Sequence, residues 1–202
     1  MLKSKLLRFM FAASAALPLW GGVVGRVVQI GGHVSDIALD ERRGVAYVAN
    51  FTANRIEVVH TPDGTLLPPL KTPEQPATLA LSPDGRYLVV GHYANWLPPS
   101  TAAPGITVLD LDAQTTVTYR PSASPLSIAF GPTNLGLLVA QDGFFLFDPA
   151  TGVLQPLVMM GIGGKELPVP LATFPPEIVR ASVGVSGNRQ FAVGMAQLKQ
   201  LG

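Results

Sequence analysis

The sequence predicts an all-β fold, a β-propeller built from four-stranded antiparallel blades, and three observations support this prediction. The stretch Thr78 to His92, TLALSPDGRYLVVGH, places the turn sequence Ser-Pro-Asp-Gly between two apolar strands, which is typical of a tight hairpin. Weaker copies of this hairpin occur at 36–50, 127–141 and 182–195. The first two copies start 42 residues apart, and propeller blades repeat every roughly 40–45 residues.

Composition supports a packed β-rich domain and excludes several classes of function. Of the 202 residues, 48% are hydrophobic and 13% are charged, with a net charge of +1, so no basic surface for nucleic acid is expected. The 21 glycines and 19 prolines separate short apolar runs, as turns separate strands. Because the chain has no cysteine, disulfides, thiolate catalysis and cysteine-based metal sites are excluded.

The first 20 residues are typical of a secretory signal peptide. Lys3, Lys5 and Arg8 precede a short apolar run, and Ala13-Ser14-Ala15 provides a small-residue cleavage site. The apolar run is shorter than the roughly 20 residues that cross a bilayer, so we expect no membrane span in the mature chain. The sequence therefore predicts export to the periplasm, the cell surface or the extracellular space.

Residues 21–202 are predicted to form a partial propeller of about three and a half blades. The predicted units cover approximately 31–70, 71–120, 121–160 and 177–202, with a crossover loop at 161–176. The fourth unit holds a single hairpin. Val23 to Ile30 resembles a fourth strand and is expected to complete the last blade. The favoured interpretation is the N-terminal part of a longer protein, with a truncated gene product or a self-assembling chain as alternatives.

Six polar residues are predicted to lie together at one end of the propeller. Antiparallel pairing places the start of each first strand beside the end of its second strand. The starts and ends are, in chain order, His33, Asn50, Gln75, His92, Ser124 and Gln141. They are candidate ligand-binding residues of this rim, and the alternative interpretation is that they cap strand ends and bind loop backbone.

Catalytic and metal-binding signals are weak. A metal site would need His33 and His92 to converge with a carboxylate such as Asp36, but no H-x-x-H or H-E-x-x-H spacing is present. Serines lack the G-x-S-x-G context of a hydrolase nucleophile, and the aspartates occur in turn sequences. We therefore predict no catalytic residue, no metal site and no cofactor.

Tyr93 and Trp96 are candidate contacts for a partner. They precede Pro98-Pro99 in a long loop of the second unit, where rigid aromatic groups suit recognition of a protein or a glycan. The alternative is that Trp96 packs the loop onto its own blade.

Three segments resemble the YVTN-type β-propeller repeats of bacterial surface and exported proteins. They are Tyr47-Val48-Ala49-Asn50, Asn54-Arg55-Ile56, and Leu81 to Tyr87 with its Ser-Pro-Asp-Gly turn. The resemblance implies a propeller fold, and related propellers include surface-layer proteins, lactonase-like hydrolases and parts of redox enzymes. We predict an exported, non-enzymatic binding or cell-surface scaffold, with a lactonase-like hydrolase that uses the polar rim as the alternative.

Overall fold

A computed structural model describes residues 25–93, 103–160, 166–170, 178–188, 190 and 192–198. The predicted signal peptide, Trp96 and much of the predicted crossover lie outside these residues. The described part of the chain is all β, with three four-stranded antiparallel sheets and two hairpins. None of the described residues belongs to a helix with the length and apolar character needed to span a membrane.

Each four-stranded sheet is a meander in chain order, as the repeat predicts. Blade 1 contains β1 Val34–Asp40, β2 Val45–Asn50, β3 Arg55–His60 and β4 Leu66–Lys71. Blade 2 contains β5 Pro76–Leu81, β6 Tyr87–His92, β7 Gly105–Asp110 and β8 Thr115–Tyr119. Blade 3 contains β9 Pro125–Phe130, β10 Gly136–Ala140, β11 Gly143–Phe147 and β12 Leu154–Pro156. Unit 4 is the hairpin of β15 Ile178–Val185 and β16 Ala192–Leu198.

The Ser-Pro-Asp-Gly sequence forms the turn between β5 and β6. Gly85 has a φ of 71°, a left-handed conformation that favours glycine, and its N–H donates to the Ser82 carbonyl at 2.8 Å. The Asp84 carboxylate accepts the Arg86 N–H at 3.0 Å. This local satisfaction of backbone groups explains why aspartate recurs in the turns.

Apolar side chains fill the spaces between neighbouring blades. Leu79, Leu88 and Val90 of blade 2 pack against Ala49 and Ile56 of blade 1. A second cluster joins blades 2 and 3 in the same way, and it includes the fully buried Phe147. The first strands of the units contact each other in the order β1, β5, β9, β15. The sheets therefore stand side by side around one axis with their first strands innermost, which is a propeller arrangement.

Equivalent hydrogen bonds join the innermost strands at two junctions, between blades 1 and 2 and between blade 3 and unit 4. The Asp36 carboxylate of β1 accepts the Leu79 N–H of β5 at 2.8 Å. Ser127, at the same position of blade 3, accepts the Val183 N–H of unit 4 through its hydroxyl at 3.0 Å. A polar side chain at this position therefore connects the two units at each of these two junctions.

The structure corrects two expectations about connecting segments. Within the predicted crossover loop, Glu166–Pro170 is a strand, β14, and pairs with β13 Val158–Met160. Proline is compatible with this short two-stranded hairpin because strand edges need no ladder donor. At the other end of the chain, the described part of Val23 to Ile30 does not form the expected strand. Val28 and Ile30 nevertheless pack on the side of blade 1 that faces away from blade 2, where a preceding blade would lie.

Blade 3 also differs from the predicted alignment by one residue. His92 pairs with Pro76, and Asn50 pairs with Val34, but it is Ala140 that pairs with Pro125. The pairing register gives the reason: Leu39 and Leu81 pair with residues seven positions later, whereas the equivalent Phe130 pairs with Gly136, six positions later, so one residue fewer lies between the paired strands. Gln141 is therefore equivalent to the residues that follow Asn50 and His92, and not to those two residues themselves.

Candidate functional site

The polar residues predicted to share one end of the propeller lie at the end where the first strand of each blade begins. We call this end, with His33, Gln75 and Ser124 at the strand starts, the upper rim. One backbone hydrogen bond closes each of the first three inner hairpins there. The bonds run from Phe51 N to His33 O at 2.8 Å, from Tyr93 N to Gln75 O at 3.2 Å and from Gln141 N to Ser124 O at 3.1 Å. The starts of the first strands and the ends of the second strands thus lie together.

Asn50 is fully buried and holds the loops of blade 1 in place. Its amide group donates to the Gly31 carbonyl at 2.6 Å and to the Glu57 carboxylate at 2.9 Å. Its side-chain oxygen accepts the Ala53 N–H at 3.1 Å. Because these bonds engage both ends of the amide, Asn50 acts as a strand-end cap in this structure.

His92 is also buried, with 1% of its surface exposed, and both ring nitrogens have partners. Nδ1 lies 3.0 Å from the Glu74 carbonyl, and Nε2 lies 2.8 Å from the Thr107 hydroxyl. Burial lowers the pKa of His92 to about 4, so the imidazole is neutral at pH 7. Since a carbonyl can only accept, Nδ1 carries the proton and Nε2 accepts from threonine.

The remaining rim residues have mixed surroundings. Gln75 adopts a φ of 54°, and its N–H donates to the Asn54 side chain at 2.9 Å. Ser124 is 2% exposed, while the Gln141 amide reaches the Tyr93 hydroxyl at 3.4 Å. Gln75 thus connects to a loop of blade 1, and Gln141 connects to the end of the second strand of blade 2.

A cavity of about 460 Å³ opens at the upper rim, near the propeller axis. Four equivalent residues, one from each innermost strand, contribute to its wall: Ser35, Ala77, Leu126 and Ala181. Of the residues predicted from sequence, His33 and Tyr93 line this cavity. Concave sites with mainly apolar walls and a few polar groups are the usual binding sites of proteins.

The sequence reasoning did not identify the other lining residues, of which Phe51 carries an aromatic side chain and Arg180 a charged one. Phe51 and Tyr93 occupy the same place in blades 1 and 2, directly after the last residue of the second strand. Aligning the repeats would have identified Phe51. Arg180 brings a positive charge to the cavity wall from unit 4, and no pattern in the sequence marked it.

The two candidate histidine ligands lie at different cavities. His33 lines the cavity near the axis, whereas His92 borders a separate space of about 190 Å³ beside Glu74 and Arg120. Among the described residues, no three histidine, aspartate or glutamate side chains form a group able to hold a metal ion. The convergence of His33 and His92 that a metal site would require is therefore not formed.

These features define the class of the protein as a β-propeller, of which the described residues form three four-stranded blades and the hairpin of unit 4. No known protein family and no curated relative matches the chain in sequence. Solved structures with a similar fold include hydrazine synthase of Kuenenia stuttgartiensis, with 15% identity over 72% of this chain and a TM-score of 0.52. U3-55K has 12% identity over 78% of this chain and a TM-score of 0.56. The WD40 repeats of RRP9 have 12% identity over 78% of this chain and a TM-score of 0.57.

The chain spans less than half of each of these solved structures. It covers 44% of the hydrazine synthase chain, 45% of U3-55K and 44% of RRP9. At such low identity the similarity concerns the fold alone. It supports the β-propeller architecture, and the more specific YVTN resemblance stays a prediction.

Proposed function

We propose that this chain is an exported β-propeller scaffold that binds a protein or glycan partner at the upper rim, without bond-breaking chemistry. The observation that carries the proposal is the cavity of about 460 Å³, to which all four units contribute. Support for export comes from the residues of the N-terminal segment alone. Propellers commonly serve as rigid frames that present loops, and such loops are frequent sites of recognition.

The aromatic pair Phe51 and Tyr93 is the expected centre of the contact. Both side chains are partly exposed and line the cavity, so a partner would remove their rings from water on binding. Aromatic residues are enriched among those that contribute most to binding energy. Arg180 adds a positive charge beside this apolar surface, which favours a partner with an acidic or carboxylate group.

Selection of peptides from a random display library on the purified chain tests this proposal. Peptides enriched on the native protein should bind Phe51→Ala at least about tenfold more weakly, as expected for loss of an aromatic anchor. Val117→Ala is the matched control, since Val117 is 49% exposed on the outer strand of blade 2. Equal binding to all three proteins would contradict a partner site at the upper rim. A parallel glycan array measures whether sugars bind there instead.

A lactonase-like hydrolase is the competing proposal, and it rests on His33 at the cavity. Lactone hydrolysis by the purified chain with a divalent cation, lost in His33→Ala and kept in Val117→Ala, would favour it. The neutral, fully hydrogen-bonded state of His92 leaves His33 as the described imidazole that reaches this cavity.

A further inference from the structure

Blade 1 has an uncovered apolar side that is built like an interface between blades. Ile37 and Leu39 of β1 are 62% and 55% exposed. Their counterparts in β5, Leu79 and Leu81, pack against blade 1. The exposed pair therefore occupies the positions with which a blade contacts the unit before it. An exposed apolar surface of this kind is typical of an interaction site.

The outer half of this side is already covered by the N-terminal segment. Val28 and Ile30 pack against Ala46, Val48 and Val59 of β2 and β3. Val28 precedes His33 by five residues, as Leu70 precedes Gln75 and Tyr119 precedes Ser124. The segment thus takes the place of the outermost strand of a preceding blade. The part of this side that stays exposed is β1, with Ile37 and Leu39. A two-stranded hairpin is wide enough to cover it.

Unit 4 has, on the side that faces away from blade 3, the positions with which a blade contacts the unit after it. Asp36 and Ser127 each accept an N–H from the innermost strand of the next unit. Ser182 has the same position in unit 4 and is exposed, and Met195, its partner in β16, is 71% exposed. Within the described residues unit 4 is a two-stranded hairpin, so its free side matches the narrow strip that blade 1 leaves uncovered.

We propose that a second copy of this chain occupies both free sides, with unit 4 of each copy docked on blade 1 of the other. Each copy carries both halves of the junction, so two copies close a ring through two identical contacts. The ring has eight units, within the four to eight typical of propellers, and closure removes the exposed sheet sides.

In this assembly the cavity at the upper rim becomes part of one continuous channel mouth. The cavity is bounded by the start of β1 on one side and by Arg180 of unit 4 on the other. The second copy adds the same residues across the axis, so the partner site proposed above would be completed by dimerisation. The two proposals are nevertheless separable, because peptide binding and chain mass are measured independently.

Light scattering coupled to size exclusion tests the assembly on the purified chain. We expect twice the mass of one chain for the native protein. Ile37→Asp and Met195→Asp should each weaken dimerisation by at least about thirtyfold, since both place a charge in the junction. Val117→Asp, on the outer strand β8, should leave the dimer intact. A native protein with the mass of one chain, or a dimer unaffected by Ile37→Asp, would overturn the proposal.

Cross-linking gives a second readout that does not depend on a destabilising change. The chain has no cysteine, so an introduced pair reports a single contact. By analogy with Asp36 and Leu79, Ser182→Cys and Ile37→Cys in the same chain should form disulfides between two copies on oxidation. The product should stop at the dimer. A ladder of larger species would indicate an open filament and contradict the closed ring, and no cross-linking with the β-sheet circular dichroism retained would exclude this junction.

Discussion

His92 was predicted as a ligand-binding residue of the rim, but the structure places it in the interior. Its side chain is buried between Glu74 and Thr107, and burial lowers its pKa from 6.5 to about 4. A histidine in this state stabilises the fold by accepting and donating hydrogen bonds while neutral. The stability of the folded protein is therefore sensitive to acid, because protonation of Nε2 removes the acceptor of the hydrogen bond from Thr107.

Acid should destabilise the protein through His92 in a defined pH window. Between pH 6.5 and about 4 the unfolded chain binds a proton that the folded chain excludes, so stability is constant above this window and falls as pH decreases through it. At about 1.4 kcal/mol for each pKa unit, the loss at pH 5 is about 2 kcal/mol relative to pH 7.5. Urea unfolding at both pH values measures it, and His92→Gln should remove most of this difference. His33→Gln is the control, and a native-like pH dependence in His92→Gln would contradict the assignment.

The equivalent positions of Asn50 and His92 were predicted correctly from the repeat, whereas the position of Gln141 was wrong by one residue. The sequence places it at the end of a second strand because the 15-residue copies align without a gap. The turn after Phe130 is shorter by one residue, so the strand that follows is shifted. A one-residue difference in a turn costs little in sequence similarity, yet it changes which face each later side chain occupies.

At the scale of elements, the turns between the first and second strands offer a comparison within one chain. Gly85 requires a positive φ of 71°, whereas Gly187 of unit 4 has no positive φ and a methyl group added to it would meet no atom within 4 Å. Gly85→Ala should lower the free energy of unfolding by about 1 kcal/mol because of the left-handed conformation. Gly187→Ala should change it by less than about 0.5 kcal/mol. Equal effects in chemical denaturation would contradict the described turn of blade 2.

The connection between innermost strands gives a second prediction at this scale. Asp36→Ala removes the acceptor for the Leu79 N–H and the Thr78 hydroxyl, and should reduce stability by roughly 1–3 kcal/mol. Asp142→Ala is a matched control, since Asp142 accepts only from the exposed Ser122 hydroxyl among the bonds assigned to it. Thermal unfolding of the two variants measures the loss of stability in each. A loss in Asp142→Ala as large as that in Asp36→Ala would show that the connection between units is not specific.

The sequence predicted the strands and turns more accurately than it predicted which surfaces these elements pack against. Four hairpins follow from alternating apolar strands and turn residues, which are local signals. The placement of Val28 and Ile30 on blade 1 depends on which surface is left uncovered, and that is a property of the whole fold. The strand at Glu166–Pro170 was missed for a related reason, because proline disfavours a central strand but not an edge.

At the scale of the molecule, a β-propeller requires that the units are arranged around one axis and are not stacked in parallel layers. The internal evidence is the order of contacts between innermost strands and the two apolar clusters between blades. A radial arrangement makes neighbouring sheets diverge outward, so their outer turns are farther apart than their inner turns. This divergence is absent in a stack of parallel sheets.

Spin-label distances measure this divergence directly, because the chain has no native cysteine that would compete for the label. One labelled pair, Glu41→Cys and Thr133→Cys, reports the inner turns of blades 1 and 3, and a second pair, Pro62→Cys and Ala150→Cys, reports the outer turns. With labelled chains diluted in unlabelled protein, the outer pair should be clearly farther apart than the inner pair. Equal distances for the two pairs, or a shorter outer distance, would contradict the propeller.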